Sequence, residues 1–175
     1  MKGKQTVWDM VRSLAVIGVV VAGIYLFVPH DDEADPTRTV DYRVETLTAR
    51  RAAPYPVAVP LGLPQEWRAT SVTYERKNAN AWHLGFQDPD REYVAVEQST
   101  DTSEKYVTKV TQKARATGQT QQIGDRSWER WDGEKYDALV LREQGFVTVV
   151  TGTAPADRLT AMAAALEFKQ GPQTP

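Results

Sequence analysis

The stretch Arg126-Ser-Trp-Glu-Arg-Trp-Asp-Gly-Glu-Lys-Tyr-Asp-Ala-Leu-Val-Leu-Arg-Glu-Gln-Gly-Phe-Val-Thr-Val-Val-Thr151 decides the fold of this chain. It predicts three strands, over residues 126–131, 136–142 and 146–151, because aromatic and β-branched residues form short runs bounded by turn residues. Asp132-Gly133 and Gln144-Gly145 mark the two turns between them. Consecutive hairpins of this kind indicate an antiparallel sheet.

The same arrangement occurs once more toward the N-terminus. Strand-like runs over residues 67–76, 82–87 and 92–98 precede Asp101-Thr-Ser-Glu104, which has the spacing of a capping box and predicts a helix that stops at Gly118. After the decisive stretch, Pro155 begins a second helix. The sequence therefore predicts two βββα units in an α+β fold, with six or seven antiparallel strands and two helices on one face of the sheet.

Two segments upstream of these units have patterns of their own. Val40, Tyr42 and Val44 alternate with charged residues, which predicts a half-buried strand. Residues 52–64 contain four prolines, which exclude a helix or a central strand and predict an extended segment crossing the surface.

The N-terminal segment has the charge pattern of a membrane anchor. Residues 13–28 contain no charged side chain, and an apolar segment extended to residues 7–28 has 22 residues, enough to cross a bilayer. Basic residues precede it and four acids follow between Asp31 and Asp35, so we expect the N-terminus in the cytoplasm and the rest of the chain outside. A cleaved signal peptide is the alternative, but no A-x-A pattern follows the apolar run.

These observations divide the chain into four parts. They are a cytoplasmic tip and single-pass transmembrane signal-anchor over residues 1–28, an acidic linker over 29–38, an exported domain over 39–169 and a disordered tail over 170–175. The chain has no cysteine, which excludes disulfides, thiol nucleophiles and Cys-ligated zinc. Its net charge of −2 argues against a nucleic-acid partner.

Motifs for catalysis are scarce in this sequence. His83 is expected to point away from the face that Trp82 and Leu84 occupy, and a catalytic triad around it would need an arrangement that sequence does not reveal. Asp88-Pro-Asp90 resembles the start of a calcium loop, but it lacks the Gly and Glu that such a loop needs and predicts a turn instead. We therefore predict no catalytic residue, no cofactor and no metal site.

Two sets of side chains are candidates for a ligand or partner surface. Lys105, Lys109 and Lys113 are four residues apart and predict a basic stripe along the first helix, suited to anionic lipids or wall polymers. The alternative is that the stripe is simply the solvated side of an amphipathic helix. Trp128 and Trp131 are three apart on a strand and must point to opposite faces, so one of them is expected outside the main core. Trp82 completes this candidate surface, although core packing is the alternative for all three indoles.

Four motifs carry a resemblance to a known family. They are Pro60-Leu-Gly-Leu-Pro-Gln-Glu-Trp67, Trp82-His-Leu-Gly-Phe86, Gly124-Asp-Arg-Ser-Trp128 and Val149-Val-Thr-Gly-Thr-Ala154 followed by Leu159. Together they resemble an actinobacterial single-pass membrane-protein family known as a domain of unknown function. The resemblance implies an N-terminal transmembrane helix followed by an exported domain, and it implies no catalytic residues.

The sequence thus predicts a cell-membrane protein with an extracytoplasmic domain. The leading hypothesis is a non-enzymatic cell-envelope module that contacts the bilayer through residues 7–28 and binds an envelope lipid, a wall polymer or a membrane protein. Two alternatives remain open. One is an envelope hydrolase whose site is assembled from scattered residues, and the other is a structural partner of a membrane complex.

Overall fold

The computed structural model describes residues 3–27 and 39–172, with the side chains of the first helix described at residues 8 and 10–21. The chain forms two compact units, Met1–Thr37 and Arg38–Pro175. The predicted acidic linker over 29–38 lies outside the described residues, and the predicted tail over 170–175 extends beyond them.

The described residues of the first unit form one helix, α1, over Gly3–Phe27. Its described apolar side chains are exposed around the whole helix, from 49% at Val11 to 72% at Val19. The predicted transmembrane segment, residues 7–28, coincides with most of α1. In the ranges 3–27 and 39–172, no helix combines the length and the apolar character that a membrane crossing needs.

The second unit contains three helices and nine strands among its described residues. In chain order they are α2 (Arg43–Ala52), β1 (Val57–Pro60), β2 (Arg68–Glu75), β3 (Ala81–Gln87), β4 (Tyr93–Ser99), α3 (Glu104–Val110), β5 (Arg115–Ile123), β6 (Arg126–Asp132), β7 (Asp137–Glu143), β8 (Phe146–Gly152), α4 (Ala156–Ala165) and β9 (Leu166–Lys169). The six predicted strands of the two βββα units are therefore all present, as β2–β4 and β6–β8.

A seven-stranded antiparallel sheet organises this unit, in the order β2-β3-β4-β8-β7-β6-β5. The predicted α+β class and antiparallel sheet are confirmed. The third strands of the two βββα units, β4 and β8, pair at the centre. The predicted turn at Gln144-Gly145 is a two-residue connection in which Gly145 has a φ of 85°.

The two helices of the βββα units lie on opposite faces of the sheet, so the prediction of one shared face was wrong. On the first face, Leu159 and Met162 of α4 pack with Trp82 and Leu84. On the second face, Val107 of α3 packs in a separate cluster with strands β6, β7 and β8. The central strand β8 is buried along its whole length because both of its faces are covered.

The predicted strand over residues 39–45 is also wrong, because helix α2 begins at Arg43. The residues that pack on the first face are Tyr42, Thr46, Ala49 and Ala53, whose spacing of four, three and four is helical. Val44, which the alternating pattern placed inside, is 73% exposed. The alternation over a few residues therefore predicted a strand, whereas the longer spacing of the buried residues is that of a helix.

The proline-rich segment contains an extended strand, but that strand lies in the core, and within the segment Pro54, Leu61, Gly62 and Pro64 are exposed as predicted. Val57 and Ala58 of β1 are fully buried, and β1 pairs with β9 in a small two-stranded sheet on the first face. Pro54 and Pro56 precede the strand, Pro60 is its last residue and Pro64 follows it, so none of the four interrupts a central pairing.

The first predicted helix is shorter than expected. Its N-cap is Ser103 and not Asp101, since the Ser103 hydroxyl accepts a hydrogen bond from the Tyr106 amide. The helix ends at Val110 because Gln112 and Lys113 have positive φ angles, and strand β5 follows. Gly118, the predicted helix stop, instead lies at an irregularity in the pairing of β5 with β6.

A buried amide joins the small sheet to the large one. Gln98 of β4 is fully buried, and its side-chain oxygen accepts a hydrogen bond from the Ala58 amide at 2.7 Å. Its side-chain nitrogen donates to the Pro56 carbonyl at 3.2 Å and to the Thr148 hydroxyl at 3.0 Å. One side chain therefore satisfies backbone groups of β1 and its approach segment that would otherwise be buried without a partner.

We expect Gln98→Leu to lower the free energy of unfolding by about 2–4 kcal/mol, because the Ala58 amide and the Pro56 carbonyl lose their partner in the core. Chemical denaturation of the full chain measures this change. Gln119→Leu is the matched control, since Gln119 is exposed on β5. Equal stability of the two variants would contradict the structural role of Gln98.

Candidate functional site

Three neighbouring strands bring polar side chains together on the second face of the sheet. His83 of β3 is paired with Thr73 on β2 and with Glu97 on β4, while Ser71 of β2 is paired with Gly85. Trp82 and Leu84 are buried on the first face, so His83 points to the opposite side, as predicted.

Ser71, His83 and Glu97 form a continuous hydrogen-bonded array, which we call the serine–histidine line. The His83 Nε2 atom lies 2.7 Å from the Ser71 Oγ atom. The His83 Nδ1 atom lies 2.6 Å from the Glu97 Oε1 atom. The side chains of His83 and Glu97 are 25% and 14% exposed, so the line is half-buried and reachable from solvent.

The pKa of His83 is raised above its ordinary value of 6.5. Burial acts to lower it, but the hydrogen bond to Glu97 and the charge of that carboxylate together outweigh the burial. Glu97 therefore both orients the imidazole and favours its protonated form.

Tyr93 places a second hydroxyl beside Ser71. Burial first, and then the charges of Glu97 and Tyr136, raise the pKa of Tyr93 to about 12, although a hydrogen bond with Ser71 acts to lower it. The phenol is thus protonated throughout the physiological range and is available as a donor. Gly85 lies beneath both hydroxyls, and a Cβ atom there would be 2.4 Å from Ser71 Oγ and 3.0 Å from the Tyr93 hydroxyl.

Lysine side chains line an open groove of about 710 Å³ beside α3. This lysine groove is formed by Lys105, Thr108, Lys109, Gln112, Lys113, Glu134 and Lys135. The structure brings the three lysines of the predicted stripe together, although Lys113 lies beyond the end of the helix. The turn between β6 and β7 contributes Lys135 and one acid, so the groove has a net positive charge.

Two tyrosines connect the lysine groove with the serine–histidine line. The Lys135 ammonium lies 5.5 Å from the centre of the Tyr136 ring, within range of a cation–π contact. The Tyr136 and Tyr93 rings are 5.9 Å apart, and the Tyr93 hydroxyl lies beside Ser71 above Gly85. Both features therefore belong to one region of the second face.

The three tryptophans of the candidate surface lie in the interior. Trp82, Trp128 and Trp131 are at most 2% exposed, so their indoles do not offer a surface to a partner. Trp128 and Trp131 do point to opposite faces, but each packs in an apolar cluster. The indole nitrogen of Trp82 donates to the Ala58 carbonyl at 3.0 Å.

The Asp88-Pro-Asp90 motif forms a turn, as predicted. The buried Asp88 carboxylate accepts hydrogen bonds from the Asp90 and Glu92 amides at 2.9 and 2.8 Å. Arg158 of α4 pairs with Asp90 at 2.9 Å and approaches Asp88 at 3.7 Å, which ties the turn to that helix. No group of three His, Asp or Glu residues in the described part of the chain is placed to hold a metal ion.

Sequence reasoning singled out His83 but missed Ser71, Tyr93 and Glu97. Ser71 lies 12 residues before His83, and Glu97 lies 14 residues after it. Each belongs to a predicted strand and faces away from the apolar positions of that strand. The period-two pattern thus assigns them to the second face, but only the pairing register sets them side by side.

The chain belongs to the family described as "Protein of unknown function (DUF4245)", whose model matches residues 2–166. The predicted resemblance to a family of unknown function is confirmed. Its actinobacterial origin and single-pass topology stay predictions. No curated protein matches the chain.

We expect the pKa of His83, followed by NMR titration, to lie above 6.5 and to fall in Glu97→Gln. A raised folded-state pKa stabilises the fold below the unfolded-state value, and this stabilisation disappears as the pH rises through the folded-state value. The free energy of unfolding should therefore decrease over that interval in the unsubstituted chain and change less in Glu97→Gln. His30→Gln assigns the second histidine signal and serves as the control. A His83 pKa unaffected by Glu97→Gln would contradict the coupling.

Proposed function

We propose that this member of the DUF4245 family is a membrane-tethered, extracytoplasmic interaction module of the cell envelope. In this proposal α1 holds the chain in the bilayer, and the lysine groove binds the anionic headgroups of envelope lipids. The observation that carries the proposal is the convergence of four lysines on one open groove.

The anchoring part of the proposal is supported by charge and exposure. Lys2, Lys4 and Arg12 lie on the N-terminal side of the apolar run, whereas four acids follow it. This distribution favours a cytoplasmic N-terminus. The apolar side chains described in α1 are exposed, and removing exposed apolar surface from water is favourable.

The binding part of the proposal is supported by the chemistry of the groove. Ammonium groups bind phosphate as point charges with three donors each. A basic side chain near an anionic bilayer contributes about 1 kcal/mol, so four lysines opposed by Glu134 are enough for weak, salt-sensitive binding.

Weak binding is sufficient to hold the lysine groove on lipid headgroups if the chain is tethered to the bilayer. The predicted linker over residues 29–38 has ten residues, which span at most about 36 Å when fully extended. A short tether converts binding at the bilayer surface into an intramolecular event with an effective concentration on the order of millimolar. This reach favours lipid headgroups over wall polymers that lie farther from the bilayer.

We expect the full chain, expressed in a bacterial host, to stay with the membrane after alkaline carbonate extraction. Protease added to spheroplasts should digest the domain that follows α1. Ile17→Asp/Val20→Asp should release the chain, because each acid at the centre of a spanning helix costs about 2.5–3.5 kcal/mol. Extraction of the unsubstituted chain by carbonate would overturn the anchor, and a domain protected from protease would overturn its extracytoplasmic side.

We expect the full chain in detergent to bind phosphatidylglycerol-containing nanodiscs at least tenfold more tightly than nanodiscs of phosphatidylcholine alone, and less tightly as salt increases. Lys105→Gln/Lys109→Gln/Lys113→Gln should remove most of this difference. Surface plasmon resonance on immobilised chain measures both affinities.

The matched control is Arg76→Gln/Lys77→Gln/Arg91→Gln, which removes the same charge from exposed positions outside the groove. An equal loss of affinity for anionic nanodiscs in both triple variants would show a nonspecific charge effect and overturn the groove as the binding site. Binding of a soluble anionic wall polymer with no preference for anionic nanodiscs would replace the lipid by that polymer.

A further inference from the structure

We propose that Ser71, His83 and Glu97 form a nucleophilic centre that cleaves carboxylic esters through an acyl-serine intermediate. This activity does not depend on the lipid-binding role of the lysine groove, and the two are separable by substitution.

The atoms of the serine–histidine line are paired in the order that serine catalysis requires. Ser71 Oγ lies 2.7 Å from His83 Nε2, and Glu97 lies 2.6 Å from the other ring nitrogen, Nδ1. In unrelated serine hydrolases the same three roles recur, with a carboxylate that fixes the tautomer of a histidine and leaves Nε2 to take the serine proton. Such a site is recognised by geometry and not by sequence position.

Access distinguishes Ser71 from a serine that only satisfies the backbone. Ser71 and His83 are half-buried on the second face, so a substrate carbonyl can approach Ser71 from the solvent side. Ser99 on β4 offers a contrast, since it is fully buried and donates to the Ala79 carbonyl.

The surroundings of Ser71 also supply a donor for the developing oxyanion. The Tyr93 hydroxyl converges with Ser71 above Gly85, where no Cβ occupies the space between them. A tyrosine hydroxyl placed beside the nucleophile stabilises negative charge on the carbonyl oxygen as the tetrahedral intermediate forms. The high pKa of this phenol keeps the proton on its oxygen.

The proposed reaction needs only the ester and water, and each proton that is removed is returned. Ser71 Oγ attacks the ester carbon while its proton moves to His83 Nε2, and the bond to the alcohol oxygen breaks as that proton passes to the alcohol. Water then attacks the acyl-serine and gives one proton to His83. The acyl–oxygen bond breaks, Ser71 regains the proton, and the carboxylic acid is released.

His83 accepts a proton only in its neutral form, so the rate should increase with pH as the imidazole is deprotonated. The groups that face it are Ser71 from β2 and Glu97 from β4, with Tyr93 of β4 next to Ser71. On α3, Tyr106 interacts electrostatically with Glu97. Neither tyrosine changes its charge in the neutral pH range, because burial raises the pKa of both.

The test uses the full chain in detergent and a fluorophosphonate probe, which forms a covalent bond to activated serines and releases fluoride. We expect labelling at Ser71, found by peptide mapping, and hydrolysis of p-nitrophenyl acetate above the rate of buffer. Ser71→Ala should abolish both, and His83→Gln should slow labelling about 100-fold or more. Ser127→Ala is the control, since Ser127 is exposed on β6 away from the line.

Gly85→Ala tests positioning without removing a reacting group. The new methyl group would lie 2.4 Å from Ser71 Oγ and displace it from its present position, so labelling should fall while thermal unfolding shows a folded chain. Labelling of Ser71 no faster than that of Ser127, or unchanged in His83→Gln, would overturn the proposal. If His83→Gln does not fold, the unsubstituted chain provides the test. A rate of Ser71 labelling that is independent of pH between 5 and 9 would then overturn the proposal. Lys105→Gln/Lys109→Gln/Lys113→Gln should keep full labelling of Ser71. Loss of Ser71 reactivity can therefore be distinguished from loss of lipid binding.

Discussion

The architecture of the second unit depends on the burial of one amide side chain. Gln98 lies on β4, which pairs with the central strand β8, and its three hydrogen bonds reach β1, the segment before β1 and Thr148 on β8. The two-stranded β1–β9 sheet is thereby fixed against the seven-stranded sheet in one position. The indole of Trp82 reinforces this arrangement through the Ala58 carbonyl. Apolar packing alone would bury β1 but would not determine its register, because apolar contacts are not directional.

Much of the fold follows from local signals in the sequence. Strands β2–β4 and β6–β8 were predicted because each is a short run that contains aromatic or β-branched residues and is bounded by turn residues such as Gly145. The errors arose where two local signals competed. The alternation around Tyr42 concealed the longer period of α2. Residues 115–118 of β5 were assigned to a helix, because the positive φ angles of Gln112 and Lys113 have no clear sequence signature, and residues 119–123 were assigned to no element. The placement of α3 and α4 on opposite faces depends on the tertiary course of the chain.

Some residues of the candidate site could also be identified from local sequence patterns, and others could not. The lysines of α3 could be identified because a helical spacing of four places them together, whereas Lys135 joins them only through the β6–β7 turn. Ser71 and Glu97 reach His83 through strand pairing, a relation that no local pattern encodes. The tryptophans attracted attention because they are large and rare, but large aromatic side chains contribute most when they fill a core. The core-packing alternative is therefore the one that the structure supports for Trp82, Trp128 and Trp131.

The open sheet also has two edges, and each is handled differently. Beside β2, the Val40 amide donates to the Ala69 carbonyl at 2.8 Å, so the incoming chain covers part of that edge. The opposite edge, β5, is exposed over most of its length, rich in glutamine and threonine, and irregular near Gly118. An irregular polar edge resists pairing with the edge of another molecule. Neighbouring copies crowded on one surface would therefore have little tendency to polymerise edge to edge into cross-β aggregates.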